Sequence, residues 1–335
     1  MPNALLLGYD LEQPSFRHRM RSLVRPLECA GWSVRLERFP SGRYGLRTWE
    51  RRALWRWAQV VVLHQIKLSA IEARLFGALS GRLVFDVDDA IYVRKPRRLG
   101  EPADDSPWRR RKFAATCRAV DVVAAGSEVL AAAARGAARA VELLPTSVDT
   151  ARYLPSGAGA EGPVTIVWIG SPENLIYLEM IHPALARLSV RHPDLKLRII
   201  CSSFPNWPDV DLERVAWSEA TEAASLAAAH IGVMPLSDDA WARGKCAFKL
   251  LQYMAASLPC VASPVGANTE AVIDGFNGFH ATGDLEWERS LERLIVSAPL
   301  RARLGANGRA HVAKRYSMRA YQAGYLALLA RLAGT

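Results

Sequence analysis

Two clusters of side chains in this 335-residue chain are able to do chemistry. The first lies between Trp241 and Asn268. There Lys245, Lys249 and Gln252 recur at i, i+4 and i+7, the spacing of one helix face. The spacing predicts a helix over 245–256. The N-terminus of a helix attracts phosphate through its free N–H groups and its dipole. Two lysines there would add point charges, so the chemistry is phosphate holding. Phe248, Leu251 and Ala255 fall on another face and read as core. Cys260–Ser263 reads as a strand running into a turn that holds Val265, Gly266 and Asn268, where glycine lets backbone approach a ligand. Glu270 opens the next short helix, which suits a first-turn acid as well as a ligand contact. The competing reading leaves both lysines solvated. Against it, they share a face with polar Gln252 inside an apolar stretch.

The second cluster is Asp86-Val87-Asp88-Asp89, at the end of an apolar run. Carboxylates facing a cleft there would orient a hydroxyl or steady a cationic transition state, which makes Asp86 and Asp88 candidate catalytic groups beside Lys249. Helix or turn capping explains Asp88 or Asp89 equally well, and Asp86 less well. His64 also ends a predicted strand, though a lone histidine is more often structural. Arg17, His18 and Arg19 follow the first loop and suit an anionic partner. With His64 and Asp89, Arg17 and Arg19 form the expected side for that partner. Trp217-Ser218 ends another strand, and a core role for Trp217 stays equally open.

Alternating apolar runs and amphipathic stretches must position these groups. That βα pattern specifies parallel α/β sheets. In the first half strands are predicted at Ala4–Gly8, Ser33–Glu37, Val60–His64, Leu83–Asp86, Asp121–Ala125 and Ala140–Leu144. Helices are predicted at Phe16–Ala30, Thr48–Ala58, Ser69–Leu79, Trp108–Ala119 and Glu128–Arg135. A Gly-, Ser- and Pro-rich stretch, 155–163, reads as a linker. The pattern then restarts with Val164–Ile169, Leu195–Cys201, Arg214–Trp217, Ile231–Met234 and Pro259–Ala262, and is nearly all helical after Trp287. The expected division is 1–155, 156–316 and a terminal helix in 317–335. Ligands of such sheets bind beyond the carboxyl ends of the strands, which selects the loops after Gly8, His64, Asp86, Gly170, Pro235 and Ser263.

Composition, at 50% hydrophobic and 23% charged, excludes dominant disorder. The five cysteines show no ligand spacing and read as reduced, mostly buried thiols of a cytoplasmic protein. The N-terminus reads as a first strand, with no signal peptide, and no run approaches the roughly 20 apolar residues of a membrane span. The net charge of +10 is uneven: eleven arginines stand against three acids between Arg17 and Arg56. Such a patch suits an anionic substrate or membrane surface, or else is a solvated basic face. Leu46, Trp49, Ala53 and Trp57 form an apolar stripe beside four arginines, which describes either an interfacial helix or one packed on its own sheet.

Taken together, several strings resemble the donor domain of GT-B glycosyltransferases of family 4: 217–222, 232–236, 244–255, Leu258-Pro259, Val265-Gly266 and 274–279. Trp168-Ile169-Gly170-Ser171 is similar to that domain's opening strand and loop. Phe85–Ile91, Gly126-Ser127 and 144–149 resemble the acceptor-side domain. The resemblance implies two Rossmann-like domains facing across a cleft. It implies a retaining transferase with no bound metal or cofactor, whose donor substrate is a nucleotide sugar. Lys249 would contact the diphosphate, with Lys245, Gly170 and Ser171 nearby. Trp217 and Ser218 would meet the nucleobase, and the terminal helix would cross back to the first domain. Gln252 falls on the second Glu of an E-x7-E motif, which binds ribose, and an amide can still do so. Gly244 falls on the first, which contacts the sugar, and glycine cannot replace it. The basic pair relatives carry after the opening strand is replaced by Gly170–Glu173, and Lys245 and Lys249 are candidates to supply the charge.

Rival readings follow from the same residues. D-x-D is also the metal signature of GT-A glycosyltransferases, and it opens the phosphatases of the haloacid-dehalogenase superfamily, with Asp86 as nucleophile and Asp88 as acid/base. Asp238-Asp239 resembles their later acidic pair, but Ala90 departs from the motif and the Lys249 region goes unexplained. A degenerate member binding sugar nucleotides or nucleic acid without turnover is the other alternative. The expected acceptor is anionic, such as a lipid-linked phosphate, with peripheral contact at the inner membrane face. Nucleic acid is not the expected partner.

Overall fold

Six parallel strands form the first sheet, and why they are central or peripheral follows from composition. The computed structural model describes every residue except 40–49, 80, 99–100, 102–105, 156, 158, 160–161 and 335. The first-sheet strands are β1 (Asn3–Gly8), β2 (Ser33–Arg38), β3 (Val60–His64), β4 (Arg82–Val87), β5 (Val122–Ala125) and β6 (Val141–Leu143). Their spatial order is β2-β1-β3-β4-β5-β6. β3, Val-Val-Val-Leu-His, is buried along its whole length because helices cover both faces of the sheet. β2 carries Arg35, Glu37 and Arg38 and lies at the edge, where charge discourages further pairing.

The second sheet comprises β7 (Thr165–Ile169), β8 (Lys196–Cys201), β9 (Leu212–Ala216), β10 (Ile231–Met234), β11 (Cys260–Ala262) and β12 (Gly278–His280). Its order is β12-β11-β10-β7-β8-β9, again all parallel. The strand order reverses between β7 and β10, so a crevice opens beyond their carboxyl ends. Tyr253 pins that point: its hydroxyl accepts from Ile169 N–H at 3.0 Å and donates to the Val233 carbonyl at 3.3 Å.

The terminal helix, Met318–Ala333, starts on Ser317, whose Oγ accepts from Ala320 N–H at 3.3 Å. Tyr321, Tyr325 and Leu328 follow at i, i+4 and i+7. They pack into the first-domain core with Ala4, Leu6, Phe16, Val60, Val62 and Val84. The last segment of the chain therefore closes the first domain.

Several local expectations need correction. The helix over 16–30 is divided into Pro14–Arg19, a 3-10 turn at Arg21–Leu23, and Val24–Cys29. Pro26 supplies no N–H to an earlier carbonyl. Of the stripe proposed for an interfacial helix, Leu46 and Trp49 lie outside the described residues. The helix described there is Arg52–Trp57, whose Trp55 is buried in the core. Trp57 is half-buried, with the Arg35 guanidinium 4.4 Å from its ring centroid. That side of the helix packs on its own domain. All five cysteines are free; Cys117, Cys201 and Cys260 are buried and Cys29 is exposed. Among the described residues no helix is long and apolar enough to cross a membrane.

Candidate active site

The helix expected over 245–256 begins only at Phe248 and runs to Ala255. Ala247 sits at φ 55°, a left-handed conformation that interrupts the helix before it. Lys245 therefore lies on the preceding turn, and Lys249 alone occupies the first helical turn. The Lys249 ammonium is 4.8 Å from the Trp168 ring centroid. Gly170 leaves it room: a Cβ there would lie 2.8 Å from Nζ and 2.5 Å from the Trp168 ring. Burial lowers the Lys249 pKa to about 7, and the like charges of Lys245 and Lys95 add to the shift. Phe248 is not core. It meets the ring of His18 from the first domain at 4.3 Å between centroids. Burial, Arg17 and Arg152 lower that histidine to about 4.

Gln252 borders the cleft, but its amide is tied into a buried polar knot. Its Nε2 donates to Glu222 Oε1 at 2.8 Å and to the Tyr153 hydroxyl at 3.0 Å. Tyr153 donates to the same Oε1 at 2.9 Å, and Trp217 Nε1 donates to Oε2 at 2.8 Å. Burial, reinforced by Glu222, pushes the Tyr153 phenol above its usual range. Trp217 remains 38% exposed, so its core reading fails; the indole is anchored at its Nε1 edge by Glu222. Arg17, from the first domain, holds its guanidinium 5.2 Å from that ring centroid and pairs with Glu219. Arg152 Nη2 donates to the Glu219 carbonyl at 2.6 Å.

The first-domain carboxylates divide sharply. Asp86 is fully buried and does not face the cleft. Arg19 grips it at 2.7 and 2.9 Å, His64 Nδ1 lies 2.7 Å from Oδ2, and the Tyr325 hydroxyl bonds Oδ1. The Arg19 charge and the His64 hydrogen bond overcome burial and hold this carboxyl well below the ordinary range. A carboxylate so enclosed cannot serve as a nucleophile, and the phosphatase reading falls with it. His64 is likewise buried, with Nε2 3.0 Å from Ser15 Oγ, so it stands behind the cleft wall. Arg19 is engaged as Asp86's partner and also donates to Leu144 O and Thr146 Oγ1, at 3.1 and 3.2 Å.

Asp88 and Asp89 do reach the cleft. Asp88 accepts from Gln65 Nε2, and its carbonyl lies 3.1 Å from Cys246 Sγ of the second domain. Burial raises the Asp89 carboxyl to about 6; Lys245 opposes the shift and Asp88 reinforces it. A Cβ on Gly244 would overlap the Cβ of Ala90 and lie 3.0 Å from Ala90 Cα and N. The glycine at 244 is thus what lets the Asp88–Ile91 loop seat on the second domain.

These groups enclose a cavity of about 560 Å³ between the two domains. Of the sequence-derived candidates it gathers Gly170, Ser171, Trp217, Lys245, Lys249, Gln252, Arg17, Arg19, Asp88 and Asp89. Ser218, Val265, Gly266, Asn268 and Glu270 do not line it. Ser218 Oγ is 2.6 Å from Thr221 Oγ1, and the Asn268 amide donates to Ser263 O at 3.1 Å. Gly266, at φ 54°, lies against the Arg243 carbonyl, and Glu270 lines a separate pocket with Gly126 and Ser127. Sequence reasoning missed Lys95, whose charge acts on Lys249, Asp89 and Glu173. No local pattern marks Lys95. Glu222, at the end of the string 217–222 that carries the resemblance, is the hub of the polar knot. Among the described residues no group of three or more His, Cys, Asp or Glu is arranged to hold a metal ion.

Comparison with known proteins agrees with this geometry. Residues 163–296, most of the second domain, match the family model described as Glycosyl transferases group 1. A 66-residue stretch is 39% identical to the D-inositol 3-phosphate glycosyltransferase of Stackebrandtia nassauensis. That stretch is 19% of this chain and 15% of the relative's length. The sucrose-phosphate synthase of Thermosynechococcus elongatus superposes with a TM-score of 0.78 at 15% identity, covering 99% of both chains. HepE of Anabaena, solved with UDP and glucose, superposes with a TM-score of 0.69 at 14% identity, over 98% of this chain and 99% of that one. The architecture is GT-B: two Rossmann-like domains facing across a cleft. The match to the group 1 glycosyl transferase model lies within the second of these domains.

Proposed function

We propose that this protein is a glycosyltransferase that moves a sugar from a nucleoside-diphosphate sugar to an acceptor hydroxyl. The observation that carries the reading is Lys249 on the first turn of its helix, beside Gly170 and near Lys245, at the switch point between β7 and β10. A diphosphate placed there meets two ammonium groups and free N–H donors in a partly desolvated cleft, where such interactions are strongest. The acceptor oxygen forms its bond to the anomeric carbon as the bond to the diphosphate breaks; the electron pair leaves with the nucleotide, and the acceptor's hydroxyl proton passes to the departing diphosphate oxygen. Positioning across the cleft and charge on the leaving group supply the catalysis. The partly exposed Trp217 indole, with the Arg17 guanidinium over its ring, is the surface on which a base would stack. HepE was solved with UDP and with UDP-glucose, which makes a uridine donor the first to test.

The finer parts of the reading rest on the resemblance to family 4: retention of configuration, and turnover without a metal or resident cofactor. The acceptor reading is an anionic or lipid-linked hydroxyl, reached from a protein peripheral to the cytoplasmic membrane face. It draws support from the basic surface around the exposed Trp108. Gly244, with no side chain, and Gln252, with its amide committed to Glu222, favour one second reading, a nucleotide-sugar-binding protein without turnover.

Thermal shift against UDP-, GDP-, ADP- and TDP-sugars, followed by assay of nucleoside diphosphate release, tests both. Binding raises the melting temperature. Binding with release supports the transferase, and Lys249→Ala should abolish release while the fold persists. Binding without release on any acceptor supports the silent binder. No shift with any nucleotide overturns both.

A further inference from the structure

We propose that Asp89 is the carboxylate that receives the hydroxyl groups of the donor's sugar, so that the first domain, not the second, selects the sugar. The assignment rests on the transferase reading above and names the group that gives it sugar selectivity.

Three observations carry it. First, position 244 can contribute nothing to recognition, because Ala90 occupies the space a Gly244 side chain would need. Second, the same close approach brings the Asp88–Ile91 loop down onto the second domain. Cys246 Sγ reaches the Asp88 carbonyl at 3.1 Å, and a Cβ on Gly126 would lie 2.8 Å from that sulfur. The loop is seated, not hovering. Third, the acidic side chains lining the cavity are Asp88, Asp89 and Glu222. Glu222 already accepts from Tyr153, Gln252 and Trp217. Asp88 accepts from Gln65. Among the described residues the Asp89 carboxylate has no hydrogen-bond or ion-pair partner.

An unengaged carboxylate in a semi-enclosed cavity is costly unless a ligand satisfies it. Hydroxyl groups are the partner its surroundings favour. A free phosphate would be repelled by the carboxylate, and the neighbouring lysines already serve the diphosphate. Asp89 lines the same cavity as Lys245 and Lys249, which places it beside the diphosphate site. That is where a sugar attached to the diphosphate must lie.

The test is calorimetric. Wild type, Asp89→Asn and Asp89→Ala are titrated with UDP and UDP-glucose, with the matching GDP, ADP and TDP pairs where uridine does not bind. The readout is the ratio of the dissociation constant of the nucleotide sugar to that of the nucleotide alone. Hydrogen bonds to a charged group predict that both variants raise this ratio roughly ten- to hundredfold. The nucleotide alone should bind as well as before or better, because a negative charge has left the lysines' side. A merely structural role would weaken both ligands together, leave the ratio constant, and overturn the assignment. So would an unchanged ratio accompanied by a raised KM for the acceptor, which would place Asp89 on the acceptor. Failure of the wild-type chain to bind any nucleoside diphosphate removes the transferase reading and this assignment together, and is recognised before any variant is made.

Discussion

Arg19 closes a two-point ion pair on Asp86, with Nη2 2.7 Å from Oδ1 and Nε 2.9 Å from Oδ2, in a part of the first domain from which solvent is excluded. Around that pair, His64 bonds the carboxylate from β3, and Tyr325 bonds it from the terminal helix. Tyr321 of the same helix donates to the Arg19 carbonyl at 2.7 Å. The network ties the N-terminal helix, two central strands and the last helix into one unit.

Asp86→Asn should therefore damage stability before it damages catalysis. Breaking one partner of a buried pair leaves an uncompensated charge and costs about 3–5 kcal/mol. The pH dependence has a definite sign. The folded-state carboxyl lies below its unfolded value near about 4, so its stabilisation is fully present above that value. It is lost as pH falls through the folded pKa. Denaturant melts at pH 7 and in acid check this. A fully stable Asp86→Asn protein lacking only turnover would return Asp86 to the reacting groups.

Much of this architecture was legible because parallel strands buried on both faces are continuous apolar runs. Val60–His64 and Ile231–Met234 match the observed strands residue for residue. β12 (Gly278–His280) was not legible as a strand; three residues with one large apolar side chain give no periodicity. The start of the Lys249 helix was misplaced because its interruption depends on a left-handed alanine, and alanine ordinarily signals helix. The burial of Asp86 was hidden for a different reason. Its partners Arg19 and Tyr325 lie 67 and 239 positions away, and only the folded chain brings them together.

Donor binding should weaken as pH rises above neutrality. In the empty cleft Lys249 has a pKa of about 7, and an arriving diphosphate favours its charged form. Affinity is then flat below that value and falls above it, by up to about tenfold per unit, until the pKa of the bound state is passed. Deprotonation of Asp89 near about 6 acts in the same direction. Lys249→Arg, which keeps its charge, should flatten the decline above pH 7. Titration of the nucleotide diphosphate from pH 6 to 9 provides the measurement, and pH-independent affinity in wild type would refute it.

Gly244→Ala should lower activity although it adds a single methyl group. That group would overlap Ala90 and lift the Asp88–Ile91 loop from its seat. Overpacking of this kind costs about 1–3 kcal/mol. Much of that cost can be relieved by opening the cleft, so the melting temperature should fall less than kcat/KM does. Gly136→Ala, at a glycine where a Cβ meets nothing within 4 Å, is the control. Equal activity in the two variants would show that the seat of the loop does not matter for turnover.

If the acceptor is presented at a membrane, contact should run through the helix Pro107–Ala119 rather than through the arginine-rich segment before it. In that segment Arg19 is buried against Asp86, and Arg17, Arg21 and Arg38 pair with Glu219, Glu12 and Asp10. Their charge is largely spoken for. By contrast Trp108 is 62% exposed at the start of a helix that continues with Arg109, Arg111 and Lys112. Phe113 on its inner face packs against Phe85 and Tyr92, so the basic end is held at the surface. The local field is strong enough to act on Lys67: burial, with Arg109 and Lys112, lowers its pKa to about 8. Each exposed basic residue near an anionic bilayer contributes roughly 1 kcal/mol, and an exposed indole adds an interfacial foothold. The attraction should fade as salt shortens the Debye length from about 10 Å at 0.1 M to about 3 Å at 1 M. Flotation with vesicles containing phosphatidylserine should recover the wild-type protein at low salt and release it at high salt. Trp108→Ala combined with Arg111→Glu should lose flotation while donor binding, measured in solution, stays unchanged. Equal flotation of wild type and variant would move the contact elsewhere. No flotation at low salt, with full activity on soluble acceptors, would remove the membrane from the reading.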